Sequence, residues 1–149
     1  MTVAPERQPL RFETIEEVTE ALRRAGHRVT VPTRVLLEAL FAADVPVSAE
    51  RLAADAATPV ELPTVYRNLE RLEQLGAVRH LHAGHGPGLY VLAGGGDRDY
   101  LACERCGRVA AVQPGDLEAL RAQLRDAYGY EVRFSHFPMV GRCEACRSA

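Results

Sequence analysis

The segment PTVYRNLERLEQLGAVRHLHAGHGPGLYVL, residues 63–92, changes its period halfway along. In the first half Val65, Leu69 and Leu72 recur at helical spacing, an apolar stripe that Pro63 opens and Gly76 stops. In the second half, AVRHLHAGHGPGLYVL reads as two short strands joined by a turn containing glycine and histidine. A helix followed directly by such a hairpin asks for further helices upstream, and the sequence supplies them. Thr14 with Glu17 forms a capping box before Ile15, Val18, Leu22 and Ala25, and Gly26 ends that helix. A second helix begins near Pro32 and runs through TRVLLEALFAA, and a third starts at Ser48 and ends before Pro59. Helices with a two-stranded wing behind them make a winged helix-turn-helix, in which the helix opened by Pro63 is the recognition helix.

In that arrangement the first turns of the recognition helix enter the major groove of DNA. Tyr66, Arg67 and Asn68 there reach phosphates or base edges, with Arg71 one turn further on. The opposing reading is that Arg67 and Arg71 only solvate an exposed face and pair with Glu70 and Glu73. Pattern alone leaves both open. Net charge is −2, so composition carries no nucleic-acid footprint, but the charge is unevenly placed. The stretch from Ala21 to Leu37 holds Arg23, Arg24, Arg28 and Arg34 and no acid. That local basic face and the wing favour DNA.

The chain has 149 residues, 47% of them apolar and 26% charged, the composition of a soluble globular protein with room for one ordinary domain or two small ones. No apolar run approaches the roughly 20 residues of a membrane span, and no secretory signal is evident, so a cytoplasmic location without membrane contact is expected. Four cysteines in a reducing compartment argue against structural disulfides. They fall into two Cys-x-x-Cys pairs, Cys103 with Cys106 and Cys143 with Cys146, each able to form a knuckle that points two thiolates at one ion. Together they complete a tetrahedral all-sulfur site suited to structural Zn²⁺, with no position left for water or substrate. A redox dithiol would explain one pair but not its twin.

The 36 residues between Cys106 and Cys143 exceed a compact zinc ribbon, so something folded lies between. GRVAAV reads as a strand, Pro114 opens a helix with Leu117, Leu120, Leu124 and Ala127 on one face and Gly129 at its end, and YEVRFSHFPM reads as another strand. The expected fold class is thus mixed α/β of the α+β kind. A winged helix-turn-helix domain with its hinge covers residues 1–93, and a small α/β domain closed by the four-cysteine zinc site covers 94–149.

RVTVPTRVLLEAL, VSAERL, PTVYRNLERLEQLGAV, YLACERCGRV and SHFPMVGRCEAC resemble, in order, the landmarks of the ferric uptake regulator family of metal-dependent transcription factors. The resemblance runs from about Thr14 to Arg147. It implies a homodimer whose C-terminal domain carries dimerisation and metal binding, acting as a repressor on palindromic double-stranded operators. It also adds Thr64, from the Thr-Val-Tyr-Arg of the recognition helix, to Arg28, Arg34, Tyr66, Arg67, Asn68 and Arg71 as a DNA-contact candidate.

By the same resemblance Asp97, Asp99, Glu118 and His136 match a second metal site, a hard set of three carboxylates and one imidazole able to hold Zn²⁺, Fe²⁺ or Mn²⁺. Strand alternation sends the side chains of 97 and 99 to one face and those of 98 and 100 to the other. On that other face Arg98 and Tyr100 replace histidines that usually belong to a hinge-side regulatory site. Val91 stands where an acid is often found, and Pro46 where some members have histidine. A guanidinium cannot ligate a cation. His80, His82 and His85 in the wing are either ligands of a relocated site, contacts to phosphate, or plain exposed residues. His27, alone in a polar turn, is given no role. The alternative function is therefore a family member that has lost hinge metal sensing and answers to redox, haem or another signal. An enzyme is not expected, because a closed four-thiolate site has no open position and neither His-Glu-x-x-His nor a Ser-His-Asp pattern is present.

Overall fold

In a computed structural model the described residues are 11–82, 86–94, 99–113, 115–132 and 138–148. The first helix, α1 (Ile15–Arg24), begins where expected: the Thr14 hydroxyl accepts the Glu17 amide at 3.2 Å. The Glu17 carboxylate reaches past the cap and accepts the Glu13 amide at 2.8 Å instead of closing the box on Thr14. Helix α2 (Val31–Ala42) carries Pro32 in its first turn, where the missing N–H costs nothing. A two-residue strand, β1 (Val47–Ser48), leads into α3 (Ala49–Asp55), whose start is fixed by the Ser48 hydroxyl accepting the Arg51 amide at 3.1 Å. Helix α4 (Leu62–Leu75) ends at Gly76, which turns left-handed with φ 76°, a conformation that favours glycine.

Strands β2 (Val78–His82) and β3 (Gly88–Leu92) form the antiparallel wing, with His80 opposite Tyr90. β1 lies along the other edge of β3, so the wing sheet has three strands in the order β1-β3-β2. The apolar stripes of all four helices meet in one core. Val18, Leu22, Leu36, Leu37, Leu40, Leu52, Val65, Leu69 and Leu72 are buried there, and Tyr90 closes it from the wing. Each fully buried aliphatic side chain contributes about 1.5–3 kcal/mol, so α4 is held by its inner face while its outer face stays free.

The C-terminal part is a second three-stranded sheet. β4 (Tyr100–Cys103) is central, β5 (Val109–Ala111) pairs with it antiparallel, and β6 (Met139–Gly141) pairs parallel on the other edge. Between them runs α5 (Glu118–Tyr128), closed by Gly129 at φ 72°, and α6 (Glu144–Arg147) follows β6. Two expectations shift. The helix begins at Glu118 rather than at Pro114, and the strand expected from Tyr130 begins only at Met139, with residues 133–137 outside the described residues. α5 has no buried residue; of its expected apolar stripe Leu117 and Leu124 are half-buried and Leu120 and Ala127 exposed, so the stripe is only partly covered among the described residues of the chain.

The two parts touch through a small apolar cluster. Leu81 and Leu89 of the wing are buried with Tyr100 of β4, flanked by Val91, Val109 and Ala111. No helix among the described residues is long and apolar enough to cross a membrane.

Candidate nucleic-acid interface and metal centre

The outer face of α4 is built by the same periodicity that buries its inner face. Tyr66 and Arg67 are exposed, Tyr66 to 44%, while Thr64 and Arg71 are half-buried. Neither Arg67 nor Arg71 forms an ion pair with Glu70, Glu73 or any other described residue, so the expected surface pairing does not occur. Both guanidiniums are available to an external anion. The Tyr66 hydroxyl donates to Glu50 Oε1 of α3 at 3.0 Å, and this hydrogen bond raises its pKa above the ordinary phenol value.

Asn68 behaves otherwise. It is only 5% exposed, its Oδ1 accepts the Thr33 hydroxyl at 2.8 Å, and its Nδ2 donates to the Thr64 carbonyl at 2.8 Å. That amide is turned into the core and links α4 to α2, which corrects the expectation that Asn68 reaches a base edge. Thr33 also accepts the Thr30 amide at 3.3 Å, so one buried threonine serves both the start of α2 and the anchoring of α4.

The arginine-rich entry to α2 also divides. Arg23 and Arg24 both approach Glu20, at 3.9 and 3.5 Å, and are partly neutralised by an acid just outside the stretch that holds none. Arg28 and Arg34 are exposed and make no ion pair among the described residues. In the wing, the ring of His80 stacks on Tyr90 with centroids 4.6 Å apart and an interplanar angle of 3°, and His82 stands 4.5 Å from His80. Neither belongs to a group of three or more ligand side chains among the described residues, and His85 lies outside them.

The four cysteines do converge. The Sγ atoms of Cys103, Cys106, Cys143 and Cys146 all lie within 4.8 Å of one another, the one such group of metal-ligating side chains among the described residues. β4 ends on Cys103, a tight turn containing Gly107 (φ 75°) follows, and the parallel pairing of β6 delivers Cys143 beside it. None of the four is in a disulfide, and Cys106 and Cys143 stand 3.7 Å apart. Two sulfurs bonded to one zinc at a tetrahedral angle are about 3.8 Å apart, so the spacing of this pair fits. The Cys143 amide donates to Cys103 Sγ at 3.4 Å, and with the Cys106 amide it pulls the Cys103 thiol down to about 6. Hydrogen bonding to the neighbouring Cys143 thiol, together with burial, pushes Cys146 up to about 12. The cluster can hold a metal ion, and its thiols are already poised unequally.

Of the second expected site, Asp97 and His136 lie outside the described residues. Asp99 and Glu118 are brought together, and between them stands Arg121, which sequence reading passed over. Its guanidinium donates to Asp99 Oδ2 at 3.0 Å and to Glu118 Oε1 at 2.7 Å. The signal for it was present, since Arg121 follows Glu118 by three residues on a helix, the spacing at which opposite charges meet. Tyr100, the first residue of β4, is 7% exposed within the apolar cluster that joins wing and C-terminal sheet.

Comparison with known proteins agrees with this geometry. The model of the ferric uptake regulator family matches residues 24–137. The ferric uptake regulation protein of Neisseria gonorrhoeae is 30% identical over 132 residues, covering 85% of this chain and 91% of that one. The solved ferric uptake regulator of Vibrio cholerae is 28% identical with a TM-score of 0.63, covering 85% of this chain and 99% of that one. That of Pseudomonas aeruginosa, solved with manganese, is 27% identical with a TM-score of 0.57, covering 88% of this chain and 99% of that one.

Proposed function

Because the chain belongs to the ferric uptake regulator family, we propose that it is a sequence-specific DNA-binding transcriptional regulator that works as a homodimer on a palindromic operator and represses in response to a divalent metal. The observation that carries this reading is the outer face of α4. Tyr66 and Arg67 are exposed on its first turns, Arg67 and Arg71 have no acidic partner among the described residues, and the opposite face is locked into the core. Arg28, Arg34 and Thr64 extend the same surface as backbone contacts. Residues 1–93 form the DNA-binding domain and residues 94–149 the dimerisation and metal-binding domain. Exposed Leu101, Leu120 and Val140 give the latter an apolar surface suited to a second copy.

Cys103, Cys106, Cys143 and Cys146 hold a structural Zn²⁺, because an all-thiolate set at tetrahedral spacing fits zinc and leaves no coordination position free. A second divalent ion, Zn²⁺, Fe²⁺ or Mn²⁺, is assigned to Asp97, Asp99, Glu118 and His136. Asp99 and Glu118 already have Arg121 as their cation, so an incoming ion must displace two charge-assisted hydrogen bonds and binds more weakly than zinc at the cysteines. The manganese found in the Pseudomonas aeruginosa protein is consistent with such an exchangeable site.

A second reading has its own observation. Tyr100 is buried between wing and sheet with Val91 packed against it, and Pro46 is buried as well. Packing of this kind can fix the orientation of the wing without an ion, and the regulator would then answer to another signal such as thiol oxidation or haem. Metal content and DNA binding measured after gentle and then harsh chelation separate the two. Loss of an exchangeable ion together with DNA binding, while zinc remains, supports the metal-dependent regulator. DNA binding that survives gentle chelation unchanged supports the second reading.

A further inference from the structure

Glu50 sits in the first turn of α3, on the side of the molecule where α4 presents Tyr66, and it makes no ion pair among the described residues. It accepts instead from the Tyr66 hydroxyl, which donates to Oε1 at 3.0 Å. The neighbouring Arg51 is taken by Asp55 at 3.0 Å and does not neutralise it. A carboxylate beside a surface that meets phosphates costs electrostatic energy and weakens non-specific binding, so its presence there needs a compensating gain. The gain available is orientation. An exposed tyrosine on a helix otherwise samples several rotamers, and a charge-assisted hydrogen bond from its phenol to the Glu50 carboxylate selects one of them. The same bond commits the only proton of the phenol, so Tyr66 cannot donate to a phosphate and is left to meet base edges with its ring and its acceptor lone pairs.

We infer that Glu50 is a positioning residue that holds Tyr66 in one direction and thereby makes Tyr66 specificity-determining at a single base step in each half-site. The inference rests on the DNA-binding reading proposed above. Glu50 itself touches no base; it acts through the tyrosine.

The test uses the zinc-loaded full chain and a pool of randomised duplexes, from which the unmodified protein selects its preferred sequence. Affinities are then measured for that duplex and for every single-base change within a half-site. Tyr66→Ala should level discrimination at one step that the parent distinguishes by about tenfold. Glu50→Ala should level the same step to within about twofold, and the double variant should lose no more than either alone. Glu50→Gln should retain the preference, because its amide oxygen still accepts the phenol proton. Both residues are exposed, so thermal unfolding should not move. The inference is overturned if Glu50→Ala keeps the preference at the Tyr66 step, if it weakens all duplexes alike, or if Tyr66→Ala levels no step. Failure of the DNA-binding reading itself is distinct, because the unmodified protein would then enrich no sequence, and the inference falls with it.

Discussion

Tyr66, Arg67 and Asn68 are consecutive, yet two face outward and one inward, because each residue of a helix advances about 100° around its axis. Asn68 lies three residues after Val65 and four before Leu72, within the buried stripe. Its place was therefore legible in the spacing, and its polar side chain drew the reading to the DNA face instead. The two classes of residue should fail differently when removed. Arg67→Ala is expected to cost about 1–3 kcal/mol of operator affinity, in a gel-shift titration, without moving the unfolding midpoint. Asn68→Ala removes the buried hydrogen bond from the Thr33 hydroxyl, leaving it only the Thr30 hydroxyl at 3.0 Å, and should cost about 1–3 kcal/mol of stability in denaturant unfolding. Its effect on DNA should follow only from that loss, equal for all duplexes. Arg121 teaches the complementary point: an acid cluster that looks in need of a cation in sequence has already been given one.

Among the elements, those written in local chemistry were legible. The Thr14 and Ser48 caps, Pro32 and Pro63 in first turns, and the Gly76 and Gly129 stops define the long helices to within a few residues. What sequence could not supply was pairing between distant segments. β1 is two residues long, too short to carry a period, and exists only because β3 offers it an edge. The parallel pairing of β6 with β4 spans the whole of α5 and has no local signature. It is nevertheless what brings the second knuckle to the first. The cysteines were readable from their spacing, since two Cys-x-x-Cys knuckles together supply the four thiolates of one closed site. Cys143→Ser should therefore release the zinc and with it much of the stability of the C-terminal part, seen as loss of bound metal and a lower unfolding temperature. Tyr100, one of the residues that depart from the pattern the resemblance implies, was read as replacing a ligand, and in the structure it is packed in the apolar cluster. Tyr100→Ala should open a cavity under Leu81 and Leu89, costing about 3 kcal/mol and exposing the junction after the wing to limited proteolysis.

At the scale of the whole molecule, the proposed dimer would carry two recognition helices on a common base. The exposed apolar residues of β4, α5 and β6 have no cover among the described residues of one chain, and a second copy would supply it. A dimer of winged helices must meet two half-sites at fixed separation, so binding should require both. The apolar cluster around Tyr100 packs the wing against the C-terminal sheet, and an ion near the hinge would add to that contact. By linkage, an ion that tightens DNA binding must itself bind more tightly in the presence of DNA, by the same factor. The most direct measurement is an anisotropy titration of the zinc-loaded protein on the duplex it selects from a randomised pool, alongside the same duplex with one half-site scrambled. The expected result is two chains per intact duplex and an affinity at least about tenfold weaker for the scrambled one. Equal affinity for both duplexes, or one chain per intact duplex at saturation, would contradict it.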